Sequence, residues 1–166
     1  MEPENFVDPI DLLRRLGEKR IRYLLVGRQA VVQYGAPLQS FDFDFYVSPD
    51  EADLENLMTM AREMGLEIES ANCSGSPPML RLLADNVSFD FIRARSYTNR
   101  EGTVLVFDDM WRRRRTFGEG DLSIHVPCLE DLVATKKMRD PSTAGGLKDA
   151  EDLRYLSVIG NVFEKP

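Results

Sequence analysis

Hydrophobic residues recur along the chain with two different spacings, which predict helices and strands in alternation. The first helical pattern runs from Pro9 to Gly17, with Asp8 as its N-cap. The apolar face of this helix is predicted to contain Ile10, Leu13 and Leu16. A β-rich run over 21–26 then predicts a strand, and residues 28–34 predict a short helix.

A second helix with an apolar stripe is predicted after a strand over 41–47. The run Ser48-Pro49-Asp50-Glu51 is typical of a capping box with proline at the first helical position. This helix is expected to end at Gly65. Its apolar face is predicted to contain Leu54, Leu57, Met58, Ala61 and Met64.

Strands dominate the next part of the chain, and helices follow Pro127. The predicted strands cover 79–83, 87–92, 104–107 and 123–126. Two helices are predicted over 129–134 and 147–159, with a flexible loop over 140–146. This order predicts an α+β fold with a mixed β-sheet, flanking helices and a short helical C-terminus. We expect one compact domain, in which a core over 1–126 carries a C-terminal helical segment over 127–166.

The composition is that of an ordinary globular protein in a reducing compartment. Hydrophobic residues make up 43% of the 166 residues, and no apolar run approaches the roughly 20 residues of a membrane span. The acidic N-terminus lacks the features of a secretory signal. With Cys73 and Cys128 as the only cysteines, a disulfide framework is excluded. We therefore expect a cytoplasmic protein whose cysteines are structural thiols.

The charge and the scarcity of histidine restrict the chemistry further. The formal net charge of −7 argues against a general nucleic-acid-binding protein. Two alternatives stay open for the basic run Arg112–Arg115: a site for a polyanionic acceptor such as tRNA, or a solvated face paired with acidic residues. His125 is the only histidine and fits a core or edge position. A metal would therefore be held by carboxylates, which favours Mg²⁺ or Mn²⁺.

The carboxylates that fit such a site lie in strands of strict alternation. In Phe41-Asp42-Phe43-Asp44-Phe45, the three phenylalanines are predicted to face a core. Asp42 and Asp44 then share the other face, with Cα atoms roughly 6–7 Å apart. Because oxygen ligands suit hard cations, this pair predicts a Mg²⁺ site.

A third carboxylate follows from the same pattern in a later strand. In Val87-Ser88-Phe89-Asp90-Phe91, Asp90 lies opposite the apolar positions. If the two strands are neighbours, Asp90 joins Asp42 and Asp44 on one patch of the sheet. The alternative is that these aspartates form the solvated face of half-buried strands, although aspartate is disfavoured there.

A strand-to-helix turn precedes the paired aspartates. The hydrophobic run Leu24-Leu25-Val26 ends at Gly27, and a helix begins directly after it. A glycine at such a turn allows backbone N–H groups to approach a phosphate. A glycine that only makes a tight turn is the alternative.

Together these motifs resemble the nucleotidyltransferase superfamily, and specifically its minimal branch with the AbiEii-type toxins. The resemblance rests on the strand and turn at Gly27, the turn at Tyr34-Gly35 and the Asp42-x-Asp44 strand. It continues in the helix over 129–136 and in the closing run Lys148-Asp149-Ala150-Glu151-Asp152-Leu153. The similar region covers roughly residues 10–157.

The resemblance implies a role for each matching residue. Asp42, Asp44 and Asp90 would be the catalytic carboxylates and Mg²⁺ ligands, with Asp90 activating the acceptor hydroxyl. Backbone groups at Gly27, Arg28 and Gln29 would hold the nucleotide phosphates. Lys136 would add positive charge to the phosphates, and Asp149 would orient its helix or a neighbouring basic residue.

Two hypotheses about function follow, and Arg28 separates them. The first is a Mg²⁺-dependent transfer of a nucleoside monophosphate from a nucleoside triphosphate to a hydroxyl of a protein, a tRNA or a small molecule. A role as a toxin with an antitoxin-like partner is implied by the family alone. Arg28 stands where the family usually has glycine or serine, and it could either clamp a phosphate or fill the nucleotide pocket. The second hypothesis is therefore a catalytically degenerate module that binds a nucleotide or a partner protein.

Overall fold

The computed structural model describes residues 4–71, 78–118 and 120–163, so Cys73 lies outside the described residues. Its helices are α1 (Pro9–Glu18), α2 (Gly27–Gln33), α3 (Glu51–Glu63), α4 (Phe107–Arg113), α5 (Leu129–Thr135) and α6 (Ala144–Phe163). Its strands are β1 (Tyr23–Val26), β2 (Asp42–Val47), β3 (Glu67–Ala71), β4 (Met79–Leu83), β5 (Ser88–Arg93), β6 (Ser96–Thr98), β7 (Val104–Val106), β8 (Arg115–Phe117) and β9 (Ile124–Val126).

A five-stranded mixed sheet forms the centre of the fold. Its strand order is β1-β2-β5-β4-β3, in which β2 and β5 run parallel and the other neighbours run antiparallel. Two small antiparallel pairs, β6-β7 and β8-β9, lie outside it. The predicted α+β class with a mixed sheet is confirmed. β2 and β5 are neighbours. Asp90 can join Asp42 and Asp44 on one face of the sheet only with this pairing.

The central strands bury apolar side chains on both faces of the sheet. Phe45 and Leu25 lie on the face that packs against the helices, where Leu132 of α5 and Leu156 of α6 join the same core. On the opposite face, Leu24 and Tyr46 belong to a second, smaller cluster. The catalytic candidates therefore lie beside an apolar patch of the sheet and not on an open, solvated surface.

Besides Ile10, which is predicted on the apolar face of α1 but is 39% exposed, three local predictions are wrong. The capping box is one of them: α3 begins at Glu51 with Asp50 as N-cap, without a hydrogen bond from a capping side chain. Ser48 is already engaged, because its hydroxyl accepts hydrogen bonds from Arg22 at 2.8 Å and from the Asp50 backbone at 3.2 Å. The helix therefore starts later than the sequence pattern indicated.

The second error concerns Phe41 and the third concerns the loop over 140–146. Phe41 is 77% exposed because β2 begins one residue later, whereas Phe45 is fully buried. α6 begins at Ala144 and includes both glycines of the predicted loop. A Cβ at Gly146 would collide with the backbone carbonyl of Asp140, so a residue without a side chain allows this close approach.

The basic run Arg112–Arg115 spans the end of α4 and the start of β8. Arg113 forms two hydrogen bonds of 3.0 Å with Asp131. Arg112 pairs with Asp109, and the guanidinium of Arg114 lies 3.9 Å from the ring centroid of Trp111. These contacts favour the alternative in which the run pairs with its surroundings.

Candidate functional site

A row of charged side chains crosses the sheet on the face opposite the main core. Cross-strand pairing places Asp44 of β2 beside Val26 of β1 on one side and Asp90 of β5 on the other. The row continues from Asp90 to Arg81 of β4. The structure therefore brings Asp44 and Asp90 together from residues that are far apart in sequence.

Asp42 lies at the start of β2, on the same face as Asp44. Its partner on β5 is Ser88, whose hydroxyl donates a hydrogen bond of 2.8 Å to the Asp42 carboxylate. One carboxylate oxygen of this exposed residue therefore has a fixed partner, and the other is open to a ligand.

Arg81 neutralises Asp90. Its Nε and Nη2 atoms donate hydrogen bonds of 2.7 Å and 3.1 Å to the two carboxylate oxygens of Asp90. The hydrogen bond to Asp90 raises the pKa of Arg81 further above its ordinary value. Such a bidentate pair fixes the orientation of a carboxylate as well as balancing its charge.

Asp44 is the unbalanced charge of the site. Asp44 forms no direct hydrogen bond or ion pair with the described part of the chain. Burial raises the pKa of the Asp44 carboxyl above its ordinary value, and the nearby charge of Asp90 raises it further, while the charges of Lys136 and Arg139 offset part of this rise. A half-buried carboxylate beside two others is therefore destabilised until a cation approaches it.

Asp42 and Asp44 have carboxylate oxygens suited to bind a hard cation. The oxygens of Asp90 already accept hydrogen bonds from Arg81 and are less available as metal ligands. Within the described ranges, the structure contains no group of three or more acidic, histidine or cysteine side chains arranged around one ion. Mg²⁺ usually takes one or two carboxylates and completes its shell with water and substrate phosphates. Two carboxylates on one strand face meet that requirement, and Asp90 as a third ligand stays a prediction.

Gly27 brings the start of α2 against Asp44. Its φ of +65° lies in the left-handed region, and a Cβ at this position would be 2.7 Å from Oδ2 of Asp44. Glycine avoids both the strain and the collision. No side chain caps the first turn of α2, so its backbone N–H groups near Gly27 are available to a ligand.

Arg28 and Gln29 use their side chains to hold neighbouring segments. Arg28 donates hydrogen bonds of 3.0 Å to Asp152 and 3.3 Å to Glu151, both on α6. Gln29 donates to the backbone carbonyl of Ser40, close to the start of β2. Arg28 therefore links α2 to α6, while Gln29 positions the segment that carries Asp42.

Lys136 and Asp149 belong to a buried ionic network. Lys136, which is 5% exposed, donates a hydrogen bond of 2.7 Å to Asp152. Asp149 accepts two hydrogen bonds of 2.8 Å from Arg139 and lies 3.7 Å from Lys136. The charge of Lys136 is therefore already balanced within the protein.

A cavity of about 420 Å³, called here the charged cavity, joins these groups. The predicted residues that line it are Gly27, Arg28, Asp42, Asp44, Asp90 and Lys136. Sequence reasoning missed Arg81, Ser88 and Arg139, which also line it. Lys148 and Asp152 line it too, although the sequence marked them only as part of the closing run and not as site residues. Alternation between buried Leu80 and Leu82 could have indicated Arg81, whereas no periodic signal marks Arg139 or Lys148.

Comparison with known proteins gives matches to solved structures only. No protein-family model matches the sequence, and the search of curated proteins also gave no match. Lincosamide antibiotic adenylyltransferase LnuA, solved with lincomycin, is similar over 94% of this chain and 99% of its own, with 18% identity and a TM-score of 0.64.

Two further structures share this architecture. ANT(2'')-Ia in complex with adenylyl-2''-tobramycin is similar over 92% of both chains, with 10% identity and a TM-score of 0.58. An antigenic nucleotidyltransferase-like protein from Paracoccidioides brasiliensis is similar over 88% of this chain and 72% of its own, with 13% identity and a TM-score of 0.52. At these identities the likeness concerns the fold.

Proposed function

We propose that this chain, which has the nucleotidyltransferase fold, transfers a nucleoside monophosphate group from a nucleoside triphosphate to an acceptor hydroxyl. The observation that carries the proposal is the unbalanced carboxylate of Asp44, which lies beside Asp42 in the charged cavity. An unpaired carboxylate that is held in place can bind a cation, and the cation can in turn bind an anionic ligand such as a phosphate. Mg²⁺ or Mn²⁺ would be held by Asp42 and Asp44.

The similar structures support a nucleotide donor and a small acceptor. LnuA is described as an adenylyltransferase, and ANT(2'')-Ia was solved with an adenylylated tobramycin. We therefore propose ATP as the first donor to test. The AbiEii-type branch, a toxin role, an antitoxin-like partner and a cytoplasmic location stay predictions from the sequence.

The proposed reaction is an in-line displacement at the α-phosphorus. The acceptor oxygen forms a bond to this phosphorus, the bond from the phosphorus to the bridging oxygen breaks, and pyrophosphate leaves. Asp90 accepts the hydroxyl proton, and Arg81 holds the Asp90 carboxylate in position for it. A bound Mg²⁺ would supply electrostatic stabilisation of the phosphate charge.

Lys148 is the residue that we propose as the phosphate contact, in place of Lys136. It lines the charged cavity and forms no ion pair within the residues that the structure describes. Arg28 and Lys136 are instead occupied by carboxylates of α6. Loss of Lys148 should therefore raise the KM for the nucleotide more strongly than loss of either paired cation.

The proposal is tested with nucleotides labelled at the α-phosphate, Mg²⁺ and a cell extract as the source of acceptors. We expect label transfer from ATP, with at least a 100-fold loss in Asp42→Asn and Asp44→Asn, the range typical for loss of electrostatic stabilisation. Asp121→Asn is the matched control, because Asp121 lies at the surface and, among the described residues, pairs with Arg14 alone. Transfer that survives both active-site substitutions would refute the proposal.

The Arg81–Asp90 pair favours a second candidate function. Both carboxylate oxygens of Asp90 already accept hydrogen bonds from Arg81, an arrangement that a nucleotide-binding module without chemistry would also contain. Binding of ATP in the presence of Mg²⁺, with no label transfer from ATP, GTP, CTP or UTP, would support this module and exclude the transferase.

A further inference from the structure

A second, smaller cavity lies against the catalytic candidates on the side away from Asp42. It has a volume of about 220 Å³, and Asp44 and Asp90 line both this cavity and the charged cavity. Gly27, Thr135, Lys136, Arg139 and Asp149 also line it, and its larger, apolar part is formed by Val26, Tyr46, Met79, Ile92 and Met138. This set of residues is called here the apolar chamber.

One polar group of the apolar chamber has no partner. Tyr46 lines the cavity, and its hydroxyl forms no hydrogen bond with the other described residues. Its ring is fixed by stacking on Tyr97, with 4.2 Å between the centroids. A tyrosine hydroxyl held at a cavity wall is a polar group that can hydrogen-bond to a ligand.

We infer that the apolar chamber is the acceptor subsite, and that the acceptor is a small, largely apolar and uncharged alcohol. This inference rests on the proposed function. The two cavities meet at Asp44 and Asp90, so a hydroxyl in the apolar chamber would face a phosphate held in the charged cavity. Most binding sites for small molecules combine apolar walls with a few fixed polar groups in this way.

The other ligands considered fit the apolar chamber less well. A nucleobase carries several donors and acceptors, most of which would be buried there without partners. A polycationic acceptor needs several free carboxylates, but Asp90 is paired with Arg81 and Asp149 with Arg139, so Asp44 is the only lining carboxylate that the described residues leave unpaired. Lys136 and Arg139 also add positive charge to the lining. The volume of about 220 Å³ suits an acceptor with a single six-membered ring.

The test uses methionine methyl groups as reporters, with the full-length protein, Mg²⁺ and ATP present. Met79 and Met138 line the apolar chamber, whereas Met60 is fully buried in the main core and serves as the internal control. Cyclohexanol is the probe, and glycerol is the polar control. We expect saturable shifts of the Met79 and Met138 NMR signals with cyclohexanol only.

Two variants sharpen this experiment. Met79→Glu places a charge at the wall and should weaken cyclohexanol binding by at least about 10-fold, equal to roughly 1.4 kcal/mol. Tyr46→Phe keeps the stacked ring and removes only the hydroxyl, so it should weaken binding severalfold. Val104→Glu is the matched control, since Val104 is 59% exposed on β7 and distant from the lining residues. Equal weakening in this control would overturn the inference.

Release of pyrophosphate from ATP separates failure of this inference from failure of the proposed function. We expect release to rise with cyclohexanol concentration and to stay flat with glycerol. If cell extract supports transfer but cyclohexanol shifts neither reporter methyl, the proposed function stands and the inference fails. If cyclohexanol binds but no acceptor supports transfer, the apolar chamber is not an acceptor subsite and the inference is overturned as well.

Discussion

At the scale of single residues, the ionised carboxylate of Asp44 lowers the stability of the folded protein. Its neighbours Asp42 and Asp90 have partners in Ser88 and Arg81, whereas Asp44 lies half-buried without one. Because its pKa is raised in the folded protein, its ionised form disfavours folding at neutral pH. The protein therefore holds a charge that its own cations Lys136 and Arg139 balance only in part.

Asp44→Asn should consequently stabilise the metal-free protein. We expect an increase on the order of 1 kcal/mol in the free energy of unfolding at pH 7, because the substitution removes an unpaired charge with little change in shape. Urea denaturation measures this change.

Addition of Mg²⁺ should stabilise the wild-type protein more than the Asp44→Asn variant. The wild-type protein should gain about 1.4 kcal/mol at a Mg²⁺ concentration ten times its dissociation constant, and the variant much less. A lower stability of Asp44→Asn without metal would contradict this account of the site.

At the scale of secondary-structure elements, the β8-β9 pair holds a partly buried titratable group, the imidazole of His125. His125 of β9 is half-buried, and its Nδ1 atom lies 2.9 Å from the hydroxyl of Thr116 on β8. Burial lowers the pKa of His125 below its ordinary value of 6.5, and the nearby charge of Arg114 lowers it further. The rings of Tyr23 and Trp111 lie beside the imidazole, with centroids 5.4 Å and 5.1 Å from its own.

This lowered pKa predicts an acid-dependent loss of stability. As the pH falls, the unfolded chain takes up a proton on His125 near pH 6.5, before the folded protein does. The contribution of neutral His125 to the free energy of unfolding is therefore fully present above that pH and is lost as the pH falls below it. The free energy of unfolding should therefore fall more steeply between pH 7.5 and 5.5 in the wild type than in His125→Gln. Since the chain has one histidine, equal slopes in the two proteins would show that the prediction is wrong.

At the scale of the whole molecule, buried charges fasten the last helix to the rest of the protein. Asp152 of α6 is fully buried and binds Lys136 at 2.7 Å and Arg28 of α2 at 3.0 Å. These ion pairs, together with Leu156 in the main core, fix α6 beside the Gly27 turn. The position of Lys148 at the charged cavity therefore depends on contacts from three helices.

Asp152→Ala should be strongly destabilising, because it leaves two cations partly buried without their shared carboxylate. We expect a loss of about 3–5 kcal/mol in the free energy of unfolding, measured by urea denaturation. Glu151→Ala is the matched control on the same helix, since it also removes a carboxylate bound to Arg28 but from a side chain that is 42% exposed. It should cost less than about 1 kcal/mol. Similar losses in both variants would refute a special role for the buried network.

The sequence alone determined the features that depend on local spacing. Alternation placed Asp42 and Asp44 on one face of a strand, and Asp8 with Pro9 marked the start of α1 correctly. The same spacing wrongly placed Phe41 in the core, because alternation does not show at which residue a strand begins. Short elements such as β6 and β8 escaped prediction because three residues carry too little periodicity to recognise.

The tertiary structure alone decided which charges remain without partners. Strand order placed Arg81 beside Asp90 and thereby removed one of the three predicted carboxylates from easy access to a cation. The packing of α6 paired Lys136 with Asp152 and left Lys148 at the charged cavity. Such pairings depend on distances between segments that are remote in the chain, so no local pattern encodes them. The identity of the candidate carboxylates was therefore readable from the sequence, and their charge balance required the fold.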